Sequence, residues 1–186
     1  MKTIVVLVTG LPASGKSYLA QKLAKDLSLP LFSKDEIKEM CFDELGYSDR
    51  AWSKKIGAAS IKILDYIFEN HLKAQQSFIV ESNFKPEFDT EKFQILHKKY
   101  AVEFFQICCK ADGEILYERF KQRAESGARH PGHDDANNLE EFRETLTKTH
   151  SYKLDVPGEY VEIDTTDFNT VNYSAILQQV KAIYTP

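Results

Sequence analysis

The apolar positions of the chain follow two periodicities, one typical of buried strands and the other typical of amphipathic helices. Short, mainly apolar runs predict five strands, at residues 3–9, 31–33, 77–81, 102–109 and 160–163, and the first of these is apolar on both faces as a central parallel strand is. Between these runs apolar residues recur every three or four positions, as Leu19, Leu23 and Leu27 do, which predicts helices. Because strand and helix alternate along the chain, we expect an α/β fold with a parallel sheet covered by helices.

Polar residues mark several boundaries between these elements. Ser33 followed by Glu36 matches the capping box S-x-x-E and predicts a helix start. Asn138 with Glu141 resembles a second capping box. Residues 126–138 contain two glycines, one proline and mostly polar side chains, so we expect a loop there.

Length and composition narrow the class of protein. The 186 residues fit one domain spanning 1–186, and no segment approaches the ~20 apolar residues of a membrane span. The net charge of −4 argues against an overall basic surface for nucleic acid, although a local basic groove stays possible in principle. Three cysteines without a C-x-x-C pair predict reduced thiols and a cytoplasmic protein.

The most informative motif follows the first predicted strand. It matches G-x-x-x-x-G-K-S/T in full and reads Gly10-Leu11-Pro12-Ala13-Ser14-Gly15-Lys16-Ser17. The glycines let the backbone curl so that its N–H groups point at phosphate oxygens, and the next helix offers its positive N-terminus to the same anion. Lys16 brings a full charge to the β- and γ-phosphates, and the Ser17 hydroxyl is suited to ligate Mg²⁺. This predicts a nucleoside triphosphate site.

The context of this motif strengthens the prediction. The match lies between a buried strand and a helix, as phosphate binding requires; the alternative is a glycine-rich turn without a ligand. No guanine-reading N-K-x-D motif occurs in the chain. We therefore expect ATP with Mg²⁺ rather than GTP.

Three segments in order along the chain resemble a known family. After the phosphate loop come Ser-Lys-Asp-Glu-Ile-Lys at 33–38, Glu-Arg-Phe-Lys-Gln-Arg at 118–123 and Arg-His-Pro-Gly-His at 129–133. Together they resemble the P-loop kinases, specifically a "predicted kinase", AAA-ATPase-like group related to chloramphenicol phosphotransferase, zeta toxins and polynucleotide 5′-kinase. The resemblance implies a three-layer sandwich with a five-stranded sheet in the order 2-3-1-4-5. It also implies a mobile lid at about 124–138 and transfer of the γ-phosphoryl group of ATP to a hydroxyl.

Asp35 is the candidate general base. The capping box puts it in the first turn of a helix, just past the carboxyl end of a strand, which is the edge where open parallel sheets bind ligands. A carboxylate there can accept the proton of an attacking hydroxyl, and the resembling kinases have an aspartate at this position. The alternative is an aspartate that only complements the helix dipole. Lys38, one turn later, is a candidate for orienting the acceptor, where the relatives often have arginine.

Arg119 and Arg123 are the candidate arginines for catalysis and for binding the nucleotide. Their i, i+4 spacing places them on one helix face just before the loop, where they can neutralise the charge of the transferred phosphoryl group. The alternative is a solvated face with both arginines paired to Glu118 or Glu125. Arg129, on the loop itself, is a third candidate.

Glu81 ends the third predicted strand beside the phosphate loop. It is the candidate metal residue together with Ser17, although an aspartate with a water-mediated contact to Mg²⁺ is more usual at this position. We expect the acceptor pocket between Asp35 and Glu81. His130 and His133, three positions apart without cysteine or a third histidine, are weak evidence for a metal site.

The sequence therefore predicts an ATP-dependent phosphotransferase acting on a hydroxyl of a small-molecule acceptor that the sequence does not name. Two alternatives stay open. One is an ATP-binding or ATPase switch protein without an acceptor, and the other is a 5′-hydroxyl nucleic-acid kinase, which the net negative charge disfavours without excluding it.

Overall fold

The computed structural model describes residues 3–148 and 152–184. Its strands are β1 Ile4–Gly10, β2 Leu31–Ser33, β3 Phe78–Glu81, β4 Glu103–Lys110 and β5 Gly158–Asp164. They form one sheet in the order β2-β3-β1-β4-β5, and every neighbouring pair is parallel. The expected strands and the expected sheet order are confirmed, and the strand ends lie within two residues of the predicted positions.

Helices cover both faces of this sheet. They are α1 Lys16–Leu27, α2 Lys34–Leu45, α3 Arg50–Lys73, α4 Pro86–Tyr100, α5 Gly113–Glu125, α6 Leu139–Thr147 and α7 Tyr173–Tyr184. Alternate residues of β1 point to opposite faces: Val6 and Val8 pack with α1 and α7, whereas Val5 and Leu7 pack with α3 and α4. The expected three-layer sandwich is confirmed. Within the described ranges, no helix has both the length and the apolar character needed to cross a bilayer.

The two predicted capping boxes have different outcomes. The Ser33 hydroxyl accepts a hydrogen bond from the Glu36 backbone N–H at 3.4 Å and caps α2 as expected. The helix start predicted at Asn138 is confirmed, but the side-chain cap is not: the Asn138 side-chain nitrogen donates to the Asp134 carbonyl at 2.6 Å, and no side-chain hydrogen bond caps α6. Asp134 adopts a left-handed conformation, with φ of 59°, that brings its carbonyl and carboxylate next to the Asn138 amide.

The segment 126–138 is more ordered than a plain loop. It contains two short 3₁₀ turns, Pro131–His133 and Ala136–Asn138. Although the segment carries almost no large apolar side chain, Gly132, His133 and Asp135 are buried against the rest of the protein. Its docking depends on charged and aromatic contacts, which a search for apolar periodicity does not detect.

Candidate active site

The phosphate loop joins β1 to α1, and its backbone is curled in the way that the motif requires. Gly10, Ala13 and Gly15 have positive φ angles of 143°, 64° and 79°. The Ser14 side chain is fully buried, and its hydroxyl has no hydrogen-bond partner among the described residues. A buried donor without a partner is rare in proteins, so its presence here fits an anionic ligand in the loop.

An aromatic ring that the sequence analysis missed lies against this loop. A Cβ atom at Gly15 would lie 2.3 Å from the Phe168 ring, so position 15 requires glycine for the ring contact as well as for its φ angle. Two cavities, of about 270 and 470 Å³, share Gly15 and Phe168 in their walls. Phe168 follows the carboxyl end of β5, and that position at the ligand-binding edge was the signal available in the sequence.

Lys16 and Glu81 form a buried ion pair beneath the loop. The Lys16 ammonium lies 3.5 Å from one carboxylate oxygen of Glu81, and the Ser33 hydroxyl donates to the other at 2.7 Å. The register of the sheet creates this contact, because Glu81 is the cross-strand partner of both Val8 and Ser33. Glu81 is only 2% exposed, so both of its oxygens are engaged within the protein.

Ser17, the other predicted metal residue, is exposed at the start of α1. It lines the cavity of about 270 Å³ together with Lys16, Arg119 and Arg123. Within the described residues, no group of three or more histidine, cysteine or carboxylate side chains is arranged to hold a metal. The Ser17 hydroxyl with the phosphate oxygens of a bound nucleotide would be an oxygen donor set that suits magnesium, and the role of Glu81 as a metal residue stays a prediction.

Asp35 begins α2 and is surrounded by cations. Its carboxylate accepts a hydrogen bond from Arg129 at 2.6 Å and one from Lys34 at 3.0 Å. Burial alone would raise the pKa of Asp35, but Lys34, Arg129 and Lys16 outweigh that effect and hold the pKa well below its usual value. Asp35 is therefore ionised at neutral pH and can accept a hydrogen bond from a hydroxyl.

Arg129 fastens the segment 126–138 to α2. One of its terminal nitrogens donates to Asp35 and to the Nδ1 atom of His133, and the other donates to Glu39 at 3.1 Å. The Nε2 atom of His133 then donates to Glu39 at 2.8 Å, which defines a neutral tautomer. Burial, the largest effect, and the Arg129 charge lower the pKa of His133 in agreement with that tautomer.

The two predicted arginines of α5 lie beside the phosphate loop with different partners. Arg119 donates to the carbonyls of Thr165 and Thr166 at 2.9 and 2.7 Å, and its guanidinium stacks 4.6 Å from the Phe168 ring centre. Arg123 lies 3.6 Å from the Asp135 carboxylate, and its Nε atom is buried without a hydrogen-bond partner in the described part of the chain. The alternative pairing with Glu118 or Glu125 is not found among the described ion pairs.

A cavity of about 790 Å³ is lined by three of the four predicted catalytic residues, all but Arg119. Its walls include Lys16, Asp35, Arg123 and Arg129. Glu81 is not part of its wall but lies buried below Lys16, so the expectation of a pocket between Asp35 and Glu81 was wrong for Glu81. The longer glutamate side chain reaches the lysine of the loop instead of the cavity.

Lys38 is a buried lysine in the wall of this cavity. It is 5% exposed, and its ammonium donates to the Ser53 hydroxyl at 2.8 Å. No carboxylate of the described chain lies within 4.0 Å of it. Burial, helped by the nearby Lys34 charge, lowers the pKa of Lys38 to about 8.

Comparison with known proteins defines the class of protein. The family model of the AAA domain matches residues 5–149, which is more than half of the chain. The chain belongs to the AAA domain family, and its sheet order and neighbours place it in the P-loop kinase superfamily, whose fold implies nucleotide binding.

Several solved structures resemble the chain in sequence or in fold. A protein described as a "putative kinase" from Chloroflexus aurantiacus J-10-fl is 40% identical, with 97% of each chain covered and a TM-score of 0.88. A sugar kinase from Janibacter sp. HTCC2649 (13% identity, 98% and 94% covered, TM-score 0.57) shares the fold. A gluconokinase from Sinorhizobium meliloti 1021 (16% identity, 98% and 95% covered, TM-score 0.53) shares it too. No curated protein matches the chain in sequence.

Proposed function

We propose that this protein is a kinase that transfers the γ-phosphoryl group of ATP to a hydroxyl of a small-molecule acceptor. One observation carries the proposal: a single cavity of about 790 Å³ is lined both by the phosphate-loop lysine, Lys16, and by the ionised carboxylate of Asp35. A phosphoryl donor and a hydroxyl acceptor bound in the same cavity would meet between these two side chains.

The nucleotide end of the site consists of the loop and the arginines. We assign the phosphates to the backbone N–H groups of 11–17 and to Lys16, with Ser17 as the Mg²⁺ ligand. When bound, Mg²⁺ neutralises phosphate charge and orients the oxygens. Arg123, which is partly exposed and only loosely paired, is suited to approach the transferred group. Arg119 and Phe168 offer stacked planar surfaces on which an adenine ring can rest.

The acceptor end of the site centres on Asp35. As the acceptor oxygen bonds to the γ-phosphorus and the bond to ADP breaks, the hydroxyl proton passes to the Asp35 carboxylate. The low pKa of Asp35 suits late proton transfer, because the transition state of phosphoryl transfer demands little early deprotonation. Glu81 supports Lys16 from below rather than binding the acceptor.

We further propose that the lid spans about 124–138 within a single domain comprising residues 1–186. Its attachment through Arg129 and His133 to Asp35 and Glu39 supports this, because an acceptor hydroxyl at Asp35 competes for the same carboxylate. We expect amide hydrogen exchange of the segment to change when a bisubstrate mimic binds. Equal exchange with and without the mimic would reject the lid.

The buried cation Lys38 leads to a prediction about stability and activity. Replacing Lys38 by methionine is expected to stabilise the fold by about 1–3 kcal/mol at pH 7, since it removes a charged group whose pKa falls from 10.5 to about 8 on folding. The same variant should lose activity if the charge holds the acceptor. Chemical denaturation and a kinase assay measure the two effects.

The difference in stability between wild type and Lys38→Met depends on pH, because the pKa of Lys38 is lower in the folded chain than in the unfolded chain. Between pH 8 and 10.5 the unfolded chain binds the Lys38 proton and the folded chain does not, so wild-type stability should rise towards that of Lys38→Met in this range. Activity that requires the charge should fall as the pH rises through about 8, and Lys38→Arg should abolish the fall. A Lys38→Met variant with wild-type activity would show that the charge is not used.

The proposed reaction is tested by assaying ADP formation with Mg-ATP and pools of hydroxyl compounds, followed by ³¹P spectroscopy of the products. A kinase forms ADP faster with its acceptor and yields a phosphoester. A switch protein forms ADP at one rate throughout, which would reject the proposal. The three free thiols fit our assignment of this activity to the cytoplasm.

A further inference from the structure

Positive charge is concentrated in the large cavity although the chain as a whole is acidic. The cavity wall carries ten of the 24 lysines and arginines but only four of the 28 acidic residues. Lys16 and Arg123 lie at the nucleotide end, and Lys34 and Arg129 are paired with Asp35, Arg129 also with Asp135. The remaining wall still has six cations and two carboxylates, so the charge at the acceptor end is not explained by ATP.

The six cations differ in how far they are neutralised. Lys92 lies between Asp65 and Asp89, at 2.9 and 3.0 Å. Arg50 and Lys54 share the Glu141 carboxylate, and Lys38 is the buried amine already described. By contrast, in the part of the chain that the structure describes, the ammonium groups of two more lysines have no carboxylate within 4.0 Å. These are Lys62 on α3 and Lys85 just before α4.

Apolar surface accompanies these two lysines in the cavity. Phe88 is 74% exposed and Ile61 is 43% exposed, and both line the same wall. Lys85 lies 5.9 Å from the Phe88 ring centre, and Lys62 is the chain neighbour of Ile61. Two lysines without carboxylate partners lie next to exposed apolar side chains. Such a surface is suited to a ligand that has both a doubly charged anionic group and an apolar or planar part.

We propose that the acceptor carries a phosphate group of its own, bound by Lys62 and Lys85, in addition to the hydroxyl that reaches Asp35. This inference rests on the proposed kinase function. In the reaction the acceptor oxygen bonds to the γ-phosphorus, the bond to the bridging oxygen of ADP breaks, and the proton goes to Asp35. The phosphate of the acceptor is unchanged. Two cations match the double charge of a phosphate monoester better than the single charge of a carboxylate.

The experiment measures phosphate binding by the protein saturated with Mg-ADP, which occupies the phosphate loop. Inorganic phosphate is titrated and followed by ³¹P line broadening for wild type, for Lys62→Gln/Lys85→Gln and for Lys55→Gln/Lys98→Gln. Lys55 on α3 and Lys98 on α4 lie exposed outside the cavity, so the control pair makes an equal change in charge. We expect the cavity pair to weaken phosphate binding about 10-fold or more and the control pair to have little effect.

The outcomes separate this proposal from the kinase function. Mg-ADP binding with no phosphate binding, or with equal phosphate affinity in all three proteins, overturns the phosphate subsite alone. Failure of wild type to bind Mg-ADP counts against the kinase function itself. Competition then identifies the source of the phosphate: ribose 5-phosphate displaces it if the acceptor is a small molecule, and a 5′-hydroxyl oligothymidylate ending in a 3′-phosphate monoester displaces it at lower concentration if the acceptor is a nucleic acid.

Discussion

Replacing Lys16 by alanine is expected to abolish Mg-ATP binding and phosphoryl transfer. The ammonium of Lys16 is the full positive charge at the centre of the phosphate loop, and the backbone N–H groups that remain carry only partial charges. Isothermal titration with ATP and a kinase assay measure the effect. ATP binding by the variant with wild-type affinity would show that the loop does not bind phosphate.

Lys16→Ala is also expected to destabilise the fold. Lys16→Ala leaves the Glu81 carboxylate buried without its cation, and an unpaired buried charge costs about 3–5 kcal/mol in typical proteins. We therefore expect a lower midpoint of thermal unfolding as well as lost binding. The double variant Lys16→Ala/Glu81→Gln removes the stranded charge, so it should recover stability without recovering ATP binding. That pattern separates the loss of the ligand contact from simple unfolding.

Replacing Asp35 by asparagine is expected to lower phosphoryl transfer by ~10²–10⁴-fold while ATP affinity stays close to that of wild type. Asparagine keeps the size of the side chain but cannot take up a proton at neutral pH. Folding should survive, because Ser33 caps α2 and Arg129 retains Glu39 and Asp135 as partners. The measurement is kcat with an identified acceptor, together with an ATP titration.

The matched control for this variant is Glu36→Gln. Glu36 lies next to Asp35 in the first turn of the same helix, so the two variants make equal changes to the charge and to the helix dipole interaction. Glu36 is outside the wall of the large cavity, and we expect its variant to retain activity. If both variants turned over at the wild-type rate, Asp35 would be only a helix-start carboxylate.

Local sequence patterns were sufficient to predict the strands and helices and the backbone of the phosphate loop. Short apolar runs locate the strands, of which β1 is buried on both faces, and the period of 3.6 residues locates the helices, which bury one side. The glycines of the loop specify its backbone because Gly10 and Gly15 adopt φ angles that other residues rarely adopt. The capping box at Ser33 likewise depends on two residues that are close in sequence. The sheet order was inferred from the resemblance to P-loop kinases, because no local pattern encodes it.

The side-chain partners within the site required the tertiary structure. The contact between Lys16 and Glu81, those from Arg129 to Asp35 and Glu39, and the contact of Phe168 with Gly15 each join residues 65 or more positions apart. Strand register and the docking of 126–138 decide such pairs, and neither follows from the spacing of residues along the chain.

The positive charge around the large cavity likewise results from the tertiary structure. The sequence shows a net charge of −4, which gives no sign of a basic surface anywhere on the protein. Folding gathers ten cations around one cavity because α2, α3 and the segments before α4 and after α5 turn particular faces towards each other. Local residue types thus specify which elements form and where the phosphate-loop motif lies, whereas the concentration of positive charge around the large cavity arises only from the packing of those elements.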